Sequence, residues 1–159
     1  MDTESLFMPA CVAAGLSVVS KKQLLQDMAD MAVQCGALGQ SKLKARDIVS
    51  AAMERERLGS TGVGSGVAIP HARIDGLKSV KAVFARLETP LDYEAIDDRP
   101  VDLVVLLLAP ANASGDHLKA LAQVSRLLRR EEIRARLRTA PNAESLYMLL
   151  TEDRAADAA

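Results

Sequence analysis

Leu103-Val104-Val105-Leu106-Leu107-Leu108-Ala109 is an unbroken apolar run that Pro110 closes. A half-buried strand would alternate apolar with polar residues, and this one does not. Both of its faces must therefore be covered, as in a central strand with a layer on each side. Working back along the chain, 79–87 predicts a second strand with Val83, Ala85 and Leu87 on its apolar side. Asp75-Gly76 makes a turn before it, and Val67-Ala68-Ile69 predicts a short first strand ended by Pro70.

Helical periodicity fills the flanks. Ser20-Lys21-Lys22-Gln23 is a capping box opening a helix with Leu24, Leu25, Met28, Met31, Ala32 and Cys35 on one face. A second helix over 44–57 turns Ile48, Val49, Ala52 and Met53 inward, with Gly59 as its stop. Ser114-Gly115-Asp116 opens a third, expected to bury Leu118, Leu121, Val124 and Leu128. Shorter helices follow over 131–138 and from Pro141-Asn142 through Leu146, Leu149 and Leu150. The expected fold class is α/β: a single-domain mixed parallel/antiparallel sheet flanked by helices on both faces. Residues 1–15 read as an N-terminal extension, 16–152 as the domain and 153–159 as a flexible tail.

The 159 residues suit one domain, and 49% hydrophobic with 26% charged residues excludes a disordered chain. A net charge of -1, with 3% aromatics and no Trp, argues against nucleic acid as a partner. No apolar run approaches a membrane span, and the acidic start lacks a secretory n-region, so a cytoplasmic protein that is not membrane-embedded is expected. Cys11 and Cys35 form no CxxC pattern. Two small buried hydrophobes in a reducing compartment are expected of them, not a disulfide.

If the three strands run up, down, up, the first and third are parallel. His71 follows the carboxyl end of the first and His117 that of the third, so the chain's two histidines could share one site at the ligand-binding rim. The Gly-rich stretch between Gly59 and Gly66 reads as a loop. It lacks the Lys of a P-loop and leads into a strand, which excludes the Rossmann pattern as well. Its glycines give a low-profile backbone beside a reactive side chain. Neutral imidazole is a competent nucleophile near pH 7, and phosphoryl transfer needs mainly positioning and positive charge. Arg55, Arg57 and Arg73 supply charge, Ser60, Thr61 and loop N–H groups such as that of Gly62 supply donors, and His117 at a helix start helps hold an anion. No metal and no cofactor are expected: two histidines without an HxxxH spacing or a cysteine cluster make a poor zinc site. Arg126, Arg129, Arg130, Arg134, Arg136 and Arg138 read as a solvated helical face, with an acidic docking partner as the other reading.

The stretch Arg55-Glu56-Arg57-Leu58-Gly59-Ser60-Thr61-Gly62-Val63-Gly64-Ser65-Gly66-Val67-Ala68-Ile69-Pro70-His71 resembles the active-site signature of the phosphotransferase-system (PTS) enzyme IIA family of the fructose/mannitol type (EIIA type-2), its nitrogen-regulatory branch most of all. The likeness continues through Leu87-Glu88-Thr89-Pro90, Ala95-Ile96-Asp97, Pro100-Val101-Asp102-Leu103 and His117-Leu118. It implies that His71 accepts the phosphoryl group, that Arg55 flanks the site and that His117 supports the phosphate. It implies a phosphohistidine carrier, not a stand-alone metabolic enzyme. The implied donor is the phosphocarrier HPr or its nitrogen paralogue, and the implied targets are a sensor kinase or a potassium transporter subunit bound according to phosphorylation. The alternative is a sugar-transport IIA component passing phosphate to a IIB domain. The resemblance leaves room for a homodimer.

Overall fold

A computed structural model describes residues 6–39, 41–112 and 114–158. Along the chain run β1 (Phe7–Leu16), α1 (Lys21–Gln34), α2 (Ala45–Arg57), β2 (Gly62–Gly64), β3 (Val67–Ala68), β4 (His71–Ile74), β5 (Lys81–Leu91), β6 (Val101–Pro110), α3 (Ser114–Arg129), α4 (Glu131–Thr139) and α5 (Ala143–Ala158). The sheet order is β1-β5-β6-β3-β2, with β4 also on β6. β5 lies antiparallel to β6, and β3 and β4 both lie parallel to it. The up, down, up reading holds, and the α/β class with helices on both faces is the observed one.

The central strand is β6. Leu103, Val105 and Leu107 point into a cluster with Val124 and Leu127 of α3, Leu137 of α4 and Leu146 of α5. Val104, Leu106 and Leu108 point the other way, onto Leu24 and Met28 of α1 and Ile48 of α2. All six of these strand side chains are fully buried, and each contributes roughly 1.5–3 kcal/mol of transfer free energy. Ser20 caps α1 by accepting the Gln23 N–H at 3.1 Å, while the Gln23 side chain accepts the Val19 N–H at 2.9 Å. Asp47 accepts the Lys44 N–H at 3.0 Å and so starts α2.

The first and second predicted strands are joined differently from expectation. The register on β6 is unchanged across Ile69-Pro70, since Ala68 faces Val104 and His71 faces Leu107. His71 therefore opens a further strand instead of following the last one. The Pro70 carbonyl accepts the Leu107 N–H at 2.9 Å. Proline has no N–H for a further bond, so the ladder thins there without losing step.

Several expectations are corrected. Residues 7–15, read as extension, form all but the last residue of β1, an edge strand parallel to β5. The Gly-rich stretch is not all loop: Gly62–Gly64 pairs antiparallel with β3. The turn between them has positive φ at Ser65 (57°) and Gly66 (79°), the backbone that suits the twist of a tight hairpin. Helix α5 continues to Ala158, into the segment read as tail. Leu118 is 62% exposed, and His117 and Ala120 are the residues turned inward instead. Cys11 and Cys35 are joined by a disulfide with Cα atoms 5.3 Å apart, overturning the expectation of two free buried thiols. The reason is β1, which lays Cys11 beside the C-terminal end of α1. The arginine run is partly structural as well. Arg138 grips the Asp102 carboxylate at 3.0 Å and donates to the Ser65 carbonyl at 2.7 Å. Arg134 donates to the Leu128 and Arg129 carbonyls at the end of α3.

Candidate functional site

His71 stands at the start of β4, where β2 no longer covers the sheet and the outer edge meets α2. Its Nδ1 lies 2.9 Å from the Ile69 carbonyl. A carbonyl only accepts, so Nδ1 carries the proton and Nε2 carries the lone pair. Arg55, in the last turn of α2, donates its Nε–H to that Nε2 at 3.1 Å. Its Nη1 donates to the Gly59 carbonyl at 2.9 Å, just beyond the helix end. Burial holds the His71 pKa below the usual 6.5, against the Ile69 hydrogen bond, which raises it; Arg55 lowers it further. The ring is thus kept neutral, with a defined lone pair.

His117 comes from the first turn of α3 and is only 5% exposed. Its ring stands perpendicular to that of His71, with centroids 5.4 Å apart. Burial first, then the charges of His71 and Arg73, lower its pKa. Its Nδ1 is buried without a hydrogen-bond partner among the described residues. The two histidines do share one site, as the strand directions predicted.

A cleft of about 480 Å³ opens over the pair, lined by Arg55, His71, Arg73 and His117, by one carboxylate, Glu54, and by the apolar Ala51, Leu58, Ala72, Leu118 and Leu121. Leu58 is 83% exposed, so two guanidinium groups and two neutral imidazoles sit beside accessible aliphatic side chains, with the exposed Glu54 as the one carboxylate. That combination suits an anionic group delivered by a macromolecular surface. Arg73 therefore lies where the sequence reading put it. Arg57 is exposed and does not line the cleft.

Ser60, Thr61 and Gly62 do not line it either. The Ser60 hydroxyl donates to the Tyr93 carbonyl at 3.2 Å and accepts the Gly62 N–H at 3.1 Å. Thr61 is 4% exposed, and its hydroxyl points at the Glu56 carboxylate. The Gly62 carbonyl accepts the Ile96 N–H at 3.1 Å. These residues hold the loop in place.

Sequence reasoning missed what they hold it to. Glu56, Tyr93 and Lys21 meet behind the loop: Lys21 Nζ is 3.1 Å from Glu56 Oε2 and 4.3 Å from the Tyr93 ring centre. Tyr93 is fully buried and donates its OH to Glu56 Oε1 at 2.9 Å. Burial, then the Glu56 charge, raises the Tyr93 pKa far above the phenol range. The only signal in the sequence was Glu56 itself, set between two arginines and easily read as a solvated helix end.

Among the described residues no group of His, Cys, Asp and Glu could hold a metal ion, and no helix is long and apolar enough to cross a membrane. A family model described as "Phosphoenolpyruvate-dependent sugar phosphotransferase system, EIIA 2" matches residues 5–153. A nitrogen regulatory protein of Bradyrhizobium diazoefficiens is 44% identical over 150 residues, covering 94% of this chain and 95% of its own. One from Pseudomonas aeruginosa is 40% identical over 133 residues, 84% of each chain. The crystal structure of nitrogen regulatory protein IIA-Ntr from Neisseria meningitidis superposes with a TM-score of 0.84 at 34% identity, covering 92% of this chain and 97% of that one.

Proposed function

Because the chain belongs to the EIIA type-2 family of the phosphotransferase system, alongside its nitrogen regulatory proteins, we propose that it is a phosphohistidine carrier whose His71 Nε2 accepts a phosphoryl group from a small phosphocarrier of the HPr type. The observation that carries this reading is the fixed tautomer: a proton held at Nδ1 by Ile69 and a lone pair at Nε2 facing Arg55. The Nε2 lone pair attacks phosphorus in line as the donor's N–P bond breaks, and its electron pair returns to the donor nitrogen. Nδ1 keeps its proton throughout. The incoming group displaces the Arg55 Nε–H from the lone pair, and the guanidinium moves onto the phosphoryl oxygens where charge gathers. His117 and Arg73 face the same volume: Arg73 adds positive charge, and His117 adds a neutral ring whose Nδ1 is buried without a partner among the described residues.

Phosphorylation replaces a neutral ring with about -1.5 to -2 charges in a cleft rimmed by Leu58 and Leu118. Partners that dock on that rim, such as a sensor kinase or a potassium transporter subunit, then distinguish the two forms.

The test is incubation with phosphoenolpyruvate, enzyme I and a phosphocarrier, followed by 31P NMR. One acid-labile, base-stable phosphoryl group on Nε2 is expected in the wild type and none in His71→Ala. Full labelling of that variant would remove His71 from the reaction. Rapid onward transfer to a sugar-specific IIB protein, with identical partners recovered by both forms, would replace regulation by sugar transport.

A further inference from the structure

We propose that Glu56 is a positioning residue for this transfer: its buried carboxylate fixes the 59–62 loop in the place from which Gly59 aims Arg55 at His71. The proposal rests on the reading of His71 as acceptor. Arg55 and Glu56 are adjacent on α2, so their side chains leave the helix about 100° apart. One reaches the cleft and the other reaches behind it.

The Glu56 side chain is 4% exposed and ion-paired with Lys21 at the start of α1. Both of its oxygens lie 3.3 Å from the Thr61 N–H, and Oε1 also receives the Thr61 and Tyr93 hydroxyls. A carboxylate removed from water needs its lone pairs filled, and here α1, the loop and the segment after β5 fill them together. An apolar cluster of similar volume would join three segments at a smaller desolvation cost. What it could not supply is direction. The backbone N–H of Thr61 is held from below, which fixes the chain two residues upstream. There the Gly59 carbonyl accepts Arg55 Nη1 at 2.9 Å, and the same guanidinium meets His71 Nε2 at 3.1 Å. Gly59 is the one protein partner of Arg55 outside His71 among these contacts. Where that carbonyl sits decides where the guanidinium points.

The experiment compares Glu56→Ala, Glu56→Gln and Lys21→Met in the full chain, with two readouts. The first, on unphosphorylated protein, follows the Arg55 Nε–H and the His71 ring nitrogens by 15N NMR. The second is the single-turnover rate of acceptance from phosphorylated HPr, at saturating and limiting carrier. In Glu56→Ala the saturated rate should fall about 10- to 100-fold, the scale of a small misplacement at a reacting centre. Half-saturation should change little, and Arg55 Nε–H should exchange faster with water. Glu56→Gln keeps the shape and the hydroxyl acceptor but loses the charge, so it should recover part of the rate.

Lys21→Met leaves every loop contact in place and should show the smallest loss. A folded Glu56→Ala protein with the wild-type rate and a protected Arg55 Nε–H overturns the proposal, as does a defect confined to half-saturation. If Glu56→Ala does not fold, Glu56→Gln decides alone, and a wild-type rate with an unchanged Arg55 signal sinks the idea. Failure of the wild type to accept phosphate would instead strike the acceptor reading, while the NMR readout would still report whether Glu56 aims Arg55.

Discussion

The His117 ring meets the His71 ring edge-on, with 5.4 Å between centroids and 90° between planes. At that distance a proton on one ring opposes a proton on the other. Burial lowers both pKa values first, and neighbouring positive charge lowers them again. The pair is therefore set neutral at pH 7, with one lone pair toward Arg55.

Stability should fall on mild acidification. The unfolded chain takes up these protons near pH 6.5, the folded chain only at lower pH. Below about 6.5 the unfolded state binds more protons, so stability drops as pH falls toward the folded values, with no effect above that window. Urea midpoints at pH 7.5 and 5.5 check this. Replacing both histidines by Gln should flatten the difference, and an unflattened difference would assign it to other groups.

Arg55→Ala should slow acceptance by about 10- to 1000-fold, because the lost charge is more useful as phosphoryl transfer proceeds. The same change should raise the His71 pKa, since Arg55 is among the groups that lower it. Ring titration by NMR reads the second effect independently of the first. A downward shift would contradict the contact at 3.1 Å.

His117→Ala should leave His71 able to accept the group but at a reduced rate, with the phosphorylated form less persistent. Acceptance is read by 31P NMR and persistence by loss of signal after donor removal. Wild-type values for both would place His117 outside the transfer.

Reducing the Cys11–Cys35 bond, which spans 24 residues, should cost about 3 kcal/mol through the freed unfolded chain. Dithiothreitol should lower the urea midpoint of the wild type and leave that of Cys11→Ser/Cys35→Ser unmoved. Equal midpoints with and without reductant would show that the bond is not formed in solution.

Gly62→Ala should destabilise by about 1–3 kcal/mol. A Cβ there would lie 2.8 Å from the Ala95 backbone and 2.7 Å from its Cβ, and neither is the loose end of a flexible side chain. Thermal denaturation measures this, and an unchanged midpoint would mean that the loop relaxes freely.

The layered architecture was legible because β6 lacks alternation and because Ser20 and Asn142 mark helix starts; the latter accepts the Ser145 N–H at 2.9 Å. The His71 and His117 pairing was legible from strand direction alone. β1 was not. Pro9 and three alanines blur its pattern, and two shifts of register interrupt its pairing with β5; an edge strand tolerates such breaks. Missing β1 hid the disulfide, which no spacing could suggest. Leu118 was misplaced because helical period fixes which residues share a face, but only packing on β6 fixes which face turns inward. The hub at Glu56 draws on Thr61 nearby but also on Lys21 and Tyr93, 35 and 37 residues away, so no local pattern could announce it.

The unbroken step of β3 and β4 along β6 makes the site a matter of counting. Whatever fills positions 69 and 70, the imbedded parity delivers His71 to the side where His117 waits. Removing a single residue from that link would pass every later side chain to the opposite layer, putting Ala72 in the place of the imidazole. No substitution on α3 could repair such a frameshift in space. The turn upstream offers little more freedom: Gly66 is buried, Arg138 holds the Ser65 carbonyl at 2.7 Å and Asp97 accepts the Ser65 N–H at 2.9 Å. Altered length should therefore be poorly tolerated on both sides of β3.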